Sequence, residues 1–376
     1  MAAHRDALLN ERGGLERADS YGIELETWIG RVAEVEDVLL PASLRAYDCR
    51  NNRLAQLAIE SDGFADAVGE AIDRYGRGRI GVFLGTSTSG IRQGEIAYAS
   101  RDSERDTLPD DFRYGTTQQM FSVAEFARRM LGLRGVAEVV STACSSSAKV
   151  FAVAQRCMSA GFCDAAIVGG VDSLCQMTLY GFDSLQLVSE EPCRPADRDR
   201  NGLNIGEAAG FALLEWQQSD TDICLLGCGE TSDAWHMSSP RPDGSGAAMA
   251  MRAALADAGL KSSQIDYVNL HGTATHANDL AEDAALLDVF NGEVLCSSTK
   301  GFTAHALGAA GIVEALFSII AIENNVAFRS LNTANVDERI RSPILLETAR
   351  LPVEKVMTNS FGFGGTNTSL IFGRTT

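Results

Sequence analysis

From residue 79 onward the chain alternates short apolar runs with glycine or polar turns. Residues 79–85, 165–170 and 208–215 are almost wholly apolar or small, the pattern of strands covered on both faces rather than one. A second series follows. Residues 222–228, 265–270, 294–296, 355–358 and 368–372 read as strands, and 246–259 carries Ala, Met and Leu at helical spacing. The first 75 residues are helical in tone, with charged clusters at 11–17 and 24–37. The order of elements is alike before and after residue 215, which predicts two related halves, 1–215 and 216–376. No linker separates them, so they are expected to share a core. The charged segment 101–114, interrupted by Pro109, predicts a long surface loop.

Composition narrows the partners. The 376 residues suffice for one large domain or two halves with a common core, and 45% hydrophobic with 22% charged residues is ordinary for a globular protein. Thirty-two basic against 50 acidic residues give a formal charge of −18, which argues against nucleic acid and against anionic membranes. An acidic protein partner must therefore find a local basic patch. The opening Met1-Ala2-Ala3-His4-Arg5-Asp6 lacks a basic-then-apolar leader, and the apolar stretch 311–322 contains Glu314 and is too short to cross a bilayer. A cytoplasmic protein is expected. Its nine cysteines show no metal-like spacing, so reduced thiols and no bound metal are expected.

One of those thiols carries chemistry. Ser141-Thr142-Ala143-Cys144-Ser145-Ser146-Ser147 follows an apolar run and precedes a helical stretch. On a strand-to-helix turn, unpaired backbone N–H groups and the helix dipole favour thiolate over thiol. The alternative is a small cysteine filling a packed turn. Three later segments stand beside it: His271-Gly272-Thr273-Ala274-Thr275 with Asp279 and Glu282 after it, Ser298-Thr299-Lys300 through His305, and Asn359 through Asn367 with its GFGG turn. Singly, each has a structural explanation, because strand-end histidines are commonly satisfied core groups and Gly-rich turns serve backbone geometry. The His271/His276 spacing does not fit a helical zinc motif. Together, a thiol, two histidines and a lysine on converging loops make a coherent acyl-transfer site.

On these segments, with Arg194-Pro195-Ala196-Asp197 and Gly206-Glu207-Ala208-Ala209-Gly210, the chain resembles the β-ketoacyl-acyl-carrier-protein synthases. These are elongating condensing enzymes of the thiolase superfamily. The resemblance runs in order from Gly85 to the C-terminus. It implies an α/β, thiolase-like fold: two duplicated βαβαβαββ halves in a five-layer α-β-α-β-α arrangement. The family's first N-terminal strand is missing from the sequence: either its start is short or one sheet carries one fewer strand, and an exposed sheet edge would then be an aggregation liability. The resemblance implies that Cys144 accepts the acyl group and that His271 and His305 complete a catalytic triad. Lys300 is then a structural lysine tied to Glu282, with Asp279 in support. Backbone N–H groups of Cys144 and Phe363 form the oxyanion hole, and Thr273 and Thr275 bind the phosphopantetheine arm. Phe363 and Phe182 line the entrance, Thr88 lies at the acyl pocket, and Arg45 and Arg200 dock the carrier. The implied reaction is a decarboxylative Claisen condensation of the acyl group with a malonyl-carrier-protein extender, giving β-ketoacyl-carrier protein and CO₂ in fatty acid or secondary polyketide and polyene biosynthesis. No cofactor is expected beyond the phosphopantetheine that carries substrates on acyl carrier protein.

The partners so implied are acyl carrier protein and a second subunit, in a homodimer or in a heterodimer with a related ketosynthase-like chain. A non-catalytic chain-length partner is the alternative, and Cys144 with both histidines argues against it. A thiolase would carry a second cysteine where Phe363-Gly364-Gly365 stands. Four departures matter. His276 replaces the proline of HGTxTP, Ala304 replaces the glycine before His305, and Gln118-Gln119 adds polarity to a helix expected at the dimer face. Thr88 stands for a smaller or aliphatic residue, which points to a short, unsaturated or aromatic acyl chain.

Overall fold

The apolar runs assemble into two mixed sheets. The computed structural model describes residues 1–21, 23–217, 219 and 223–374, and Asp222, expected to open a strand, lies outside them. Strands β1 (Ile80–Gly85), β2 (Ala137–Val140), β3 (Ala165–Asp172) and β4 (Ala208–Leu214) form the first sheet in the order β2-β1-β3-β4. β1 runs parallel to β2 and β3, and β4 is antiparallel to β3. Strands β5 (Ile223–Ser232), β6 (Tyr267–Asn269), β7 (Leu295–Ser297), β8 (Lys355–Gly362) and β9 (Thr366–Arg374) form the second, in the order β7-β6-β8-β9-β5. There β6 is parallel to β7 and β8, while β9 is antiparallel to β8 and to β5. The two sheets match strand for strand until β5, which has no counterpart beside β4 among the described residues. The first strand that the family resemblance implies is not among the described residues.

Three layers of helix enclose the sheets. Helix α1 (Ala2–Leu9) lies at the N-terminus; α2 (Arg50–Glu60), α3 (Phe64–Tyr75) and α4 (Ser122–Met130) cover the outer face of the first sheet. Helix α5 (Ser146–Ser159) packs between the sheets. Helices α6 (Ser245–Ala258) and α7 (His276–Phe290) cover the outer face of the second sheet, and α8 (Ala310–Asn324) joins α5 in the middle. Strand alternation makes this possible: Ile80, Val82 and Leu84 enter the outer core of the first sheet, while Phe83 between them enters the central one. Every residue of β1 and β3 is buried, as strands sandwiched between helices must be. The central core draws from both sheets, and Phe151 of α5 meets Phe372 of β9 edge-on at 5.5 Å. Truncating such a ring to Ala costs about 3–5 kcal/mol.

Some local expectations change. The helical stretch Leu307–Asn324 reaches 18 residues, longer than expected, and is apolar enough to cross a membrane, but 72% of it is buried inside the fold. It is a core helix. Gln118 and Gln119 lie in a turn before α4 and not in a helix. The N-terminal region is less helical than its sequence tone, because Trp28–Gly30 pairs with Leu15–Arg17 and with the distant Ile205–Gly206. A tertiary partner decides the strand there. Residues 101–114 form an exposed loop, as expected.

Candidate active site

Cys144 sits where β2 gives way to α5. The turn is tight, with Ala143 at φ 52°. It is stapled by serines: the Thr142 N–H donates to Ser146 Oγ (2.9 Å), whose own hydroxyl donates to the Ala143 carbonyl (2.5 Å). The thiol is buried, and desolvation pushes it up to about 11, although the Lys300 charge and the Phe363 N–H pull the other way. The resting pocket thus holds a thiol, not the expected thiolate, because burial outweighs the turn's donors.

The two histidines arrive from the second sheet. His271 lies two residues past the end of β6, and its N–H and that of Gly272 donate to the two oxygens of Glu282 on α7 (2.9 and 2.8 Å). Asn359 of β8 donates to the same carboxylate (3.1 Å). His305 follows the short helix Lys300–Thr303. It pairs like a strand residue: its N–H donates to the Asn204 carbonyl (2.8 Å), and its carbonyl accepts from the Gly206 N–H (2.9 Å). Its Nε2 lies 3.0 Å from Cys144 Sγ. The two rings stand 5.3 Å apart at 83°, and the thiol and both histidines bring nitrogen or sulfur atoms within 4.8 Å of one another. Burial first, then the Lys300 charge, holds both imidazoles well below their usual value, with His305 adding to the effect at His271. Both are neutral at pH 7.

Lys300 is not tied to Glu282. Its Nζ ion-pairs with Glu314 of α8, donates to the His271 carbonyl (2.5 Å) and stands 3.4 Å from His271 Nδ1. Glu282 is already occupied by its three donors. An ammonium can only donate, so His271 Nδ1 must accept, and the imidazole proton sits on Nε2. Burial pushes both Glu282 and Glu314 up to about 7, against those donors and against Lys300 respectively. Glu314 was missed as a site residue; its place as the lone carboxylate in the apolar run 311–322 is the signal that could have marked it as a buried, paired group. Asn359 and Phe361, whose ring lies 5.7 Å from that of His271, carried no such signal.

A cavity of ≈ 80 Å³ opens from this cluster, bounded by Cys144, His271, His305, Thr273, Thr275 and Phe363. The threonine hydroxyls lie 2.9 Å apart. Phe182 and Phe363 stack over the cavity at 5.3 Å and 26°. Two expected residues fall elsewhere. Thr88 is absent from this lining; its hydroxyl donates to buried Asp172 (2.9 Å) and accepts from the Ser173 N–H (3.0 Å). Arg200 is wholly buried between Asp279 (3.2 Å) and Asp337 (2.7 Å), so it cannot meet a carrier and instead holds the 194–200 turn against α7. Asp279 also accepts from the Ala196 N–H (2.8 Å). Arg45 is exposed, on the rim of a separate groove with Gln93, Ile96 and Arg113. His276 begins α7 and approaches Arg339 (3.4 Å), outside the cavity lining. Ala304 holds φ 60° and ψ −175°, a conformation that glycine adopts freely and alanine only under strain.

Two duplicated sheets around a central helical pair, with this cluster between them, define a thiolase-like condensing enzyme. The sequence matches the families described as "Beta-ketoacyl synthase, N-terminal domain" over 53–219 and "Beta-ketoacyl synthase, C-terminal domain" over 223–334. The chain belongs to the β-ketoacyl synthase family. It is 35% identical to the 3-oxoacyl-[acyl-carrier-protein] synthase 2 of Vibrio cholerae over 325 residues, covering 81% of this chain and 78% of that one. Among solved structures, it is similar to the ketosynthase ApeO of Xenorhabdus doucetiae in complex with its chain length factor ApeC. That likeness has a TM-score of 0.85 and 39% identity, and covers 92% of this chain and 86% of the other. A β-ketoacyl synthase of Burkholderia phymatum gives a TM-score of 0.87 at 30% identity, covering 99% and 94%.

Proposed function

We propose that Cys144 carries the acyl group while His271 and His305 drive the condensation. The observation that carries this reading is the 3.0 Å approach of His305 Nε2 to Cys144 Sγ beside a second neutral imidazole. The chain is a β-ketoacyl-acyl-carrier-protein synthase, an acyltransferase of fatty acid or polyketide biosynthesis. In the first half-reaction Cys144 Sγ attacks the carbonyl of an acyl thioester, His305 Nε2 takes the thiol proton, and the carrier's thiol departs with a proton. The N–H groups of Cys144 and Phe363 hold the oxyanion; the pull of the Phe363 N–H on the Cys144 sulfur supports its half of that pair. In the second, a malonyl thioester loses CO₂. Its enolate oxygen accepts from the His271 Nε2–H fixed by Lys300 and from His305 once that neutral ring carries its proton on Nε2 instead of Nδ1, so both donate without adding a full charge. The carbanion then attacks the acyl carbonyl, and Cys144 leaves as thiolate to recover its proton.

The partners belong to the same proposal. Thr273 and Thr275 bind the phosphopantetheine arm of acyl carrier protein, the only cofactor involved, and exposed Arg45 gives that acidic carrier a basic contact. A homodimer, or a heterodimer of the kind named for the Xenorhabdus ketosynthase, completes the assembly. The division at residues 215 and 216 and a cytoplasmic location are part of the reading. The core position of Leu307–Asn324 supports the latter. The expectation of a short, unsaturated or aromatic acyl chain drew on Thr88 and on Gln118-Gln119, and loses the support of Thr88, whose hydroxyl is bound to Asp172. The intact Cys144, His271 and His305 cluster argues against a non-catalytic chain-length partner. The test is intact mass after mixing the protein with a panel of acyl-carrier thioesters. An acyl-sized gain that Cys144→Ala abolishes is expected, and no gain from folded protein overturns the proposal.

A further inference from the structure

The two imidazoles of the site are aimed by different means. Lys300 Nζ stands 3.4 Å from His271 Nδ1 and fixes that ring. No side chain does the same for His305, whose Nδ1 has no hydrogen-bond partner among the described residues. The place of its Nε2 against Cys144 therefore depends on its backbone. That backbone is strained on both sides, with Ala304 at φ 60° and Leu307 at φ 50°, and such conformations persist only where the surroundings hold them. Before the ring, Asn204 and Gly206 supply the hold. After it, the next fixed point is Gly308, whose N–H donates to Asp172 Oδ2 (2.6 Å).

Asp172 ends β3 and is wholly buried. Its Oδ1 accepts from the Thr86 hydroxyl (2.7 Å), the Ser87 N–H (2.7 Å), and the N–H and hydroxyl of Thr88 (2.8 and 2.9 Å). Its Oδ2 accepts from the Ser87 hydroxyl (2.5 Å) as well as from Gly308. Five donors from the turn after β1 thus anchor the carboxylate in the first half, and the sixth belongs to the second half. The approach is close. A Cβ on Gly308 would stand 2.8 Å from Asp172 Oδ2 and 2.9 Å from the Ser87 nitrogen. The single turn Leu307–Ala309 leads straight into α8, whose dipole welcomes a negative charge at that end.

We propose that Asp172 is a positioning residue for the condensation: anchored by residues 86–88, it holds Gly308 and thereby sets His305 against Cys144. The inference rests on the reading of Cys144 and His305 as the acyl-transfer pair. Asp172 does not line the cavity, and its charge opposes ionisation of the Cys144 thiol. What it gives to acyl transfer therefore comes through the placement of His305 and not through its field at the sulfur.

The test is a double-mutant cycle of Asp172→Asn with His305→Ala on the full chain. Its readout is the rate of acyl loading of Cys144 from an acyl-carrier thioester, followed by intact mass over time. Asparagine keeps the shape but turns an NH₂ toward groups that can only donate. Asp172→Asn alone should slow loading about tenfold to a hundredfold, the scale of a misplaced reacting group. In the His305→Ala background the same change should slow it no further, because the ring through which it acts is gone. Any loss of thermal midpoint, in contrast, should be alike in both backgrounds. Should Asp172→Asn fail to fold, Gly308→Ala, which crowds the same carboxylate, takes its place in the cycle. Equal slowing in both backgrounds overturns the proposal, and so does wild-type loading by a folded Asp172→Asn protein. Wild-type protein that never loads overturns the reading of Cys144 and this inference with it, whereas loading that ignores Asp172 overturns this inference alone.

Discussion

Two strand-to-helix junctions meet at the site, and they solve the same task differently. The β2–α5 junction is short, residues 141–145, and leads straight into a central helix with the thiol at the turn. The β7–α8 junction, residues 298–309, leads into the other central helix but inserts a short helix, Lys300 and His305 on the way. In a duplicated scaffold the same place carries the proposed nucleophile in one copy and, in the other, the proposed base His305 together with the lysine that orients His271. The comparison teaches that neither copy holds a site. Reactivity exists only where the two junctions face each other across the central layer.

Breaking the short junction has the largest effect. Cys144→Ala should abolish the acyl adduct and lower condensation on the order of 10⁴-fold or more, read by intact mass and product formation. The longer junction comes next. His305→Ala and His271→Ala should each cost roughly 10²–10⁴-fold in condensation. They should separate, however: His305→Ala slows acyl transfer to Cys144, whereas His271→Ala leaves the adduct and removes malonyl decarboxylation, followed as CO₂ release.

Lys300→Met leaves buried Glu314 without its partner and should cost about 3–5 kcal/mol in denaturant unfolding. Adding Glu314→Leu should recover most of that stability but not the rate, because His271 has still lost the donor at Nδ1.

Acid should expose the histidines. Their values are lowered in the fold, so the stability they contribute is present above the unfolded value near 6.5 and is lost as pH falls below it. Replacing both by Phe should flatten the fall in thermal midpoint between pH 7 and pH 5.5. The smallest effect is the relief of strain: Ala304→Gly should stabilise by about 1 kcal/mol with His305 in place. A lower midpoint would mean that the alanine methyl's packing outweighs its backbone cost.

The strands were legible because burial on both faces forces unbroken apolar runs, and β1, β3, β8 and β9 lie where those runs fall. The Cys144 turn and His271 were legible because they follow such strands closely, and His305 because it closes the segment that runs on from one through Lys300. Pairings between charges were not. Lys300 chooses Glu314 over Glu282, and Arg200 disappears between two aspartates, because the partner of a buried charge is set by how helices cross and not by spacing along the chain. The strand at Trp28–Gly30 was hidden for a similar reason, since its partner is nearly two hundred positions away. Thr88 failed as a pocket residue because Asp172, silent in the sequence, claims its hydroxyl.

Phe363 joins two duties in one residue. Its ring lies on Phe182 across the cavity, while its backbone N–H points at the Cys144 sulfur. A movement of the turn that lifts the ring to admit a long arm carries the amide away as well. Entry and activation therefore exclude each other in time. Water that slips in while the door stands open finds an acyl thioester whose carbonyl has lost one of its polarising donors, and the intermediate is spared hydrolysis at the moment it is most accessible.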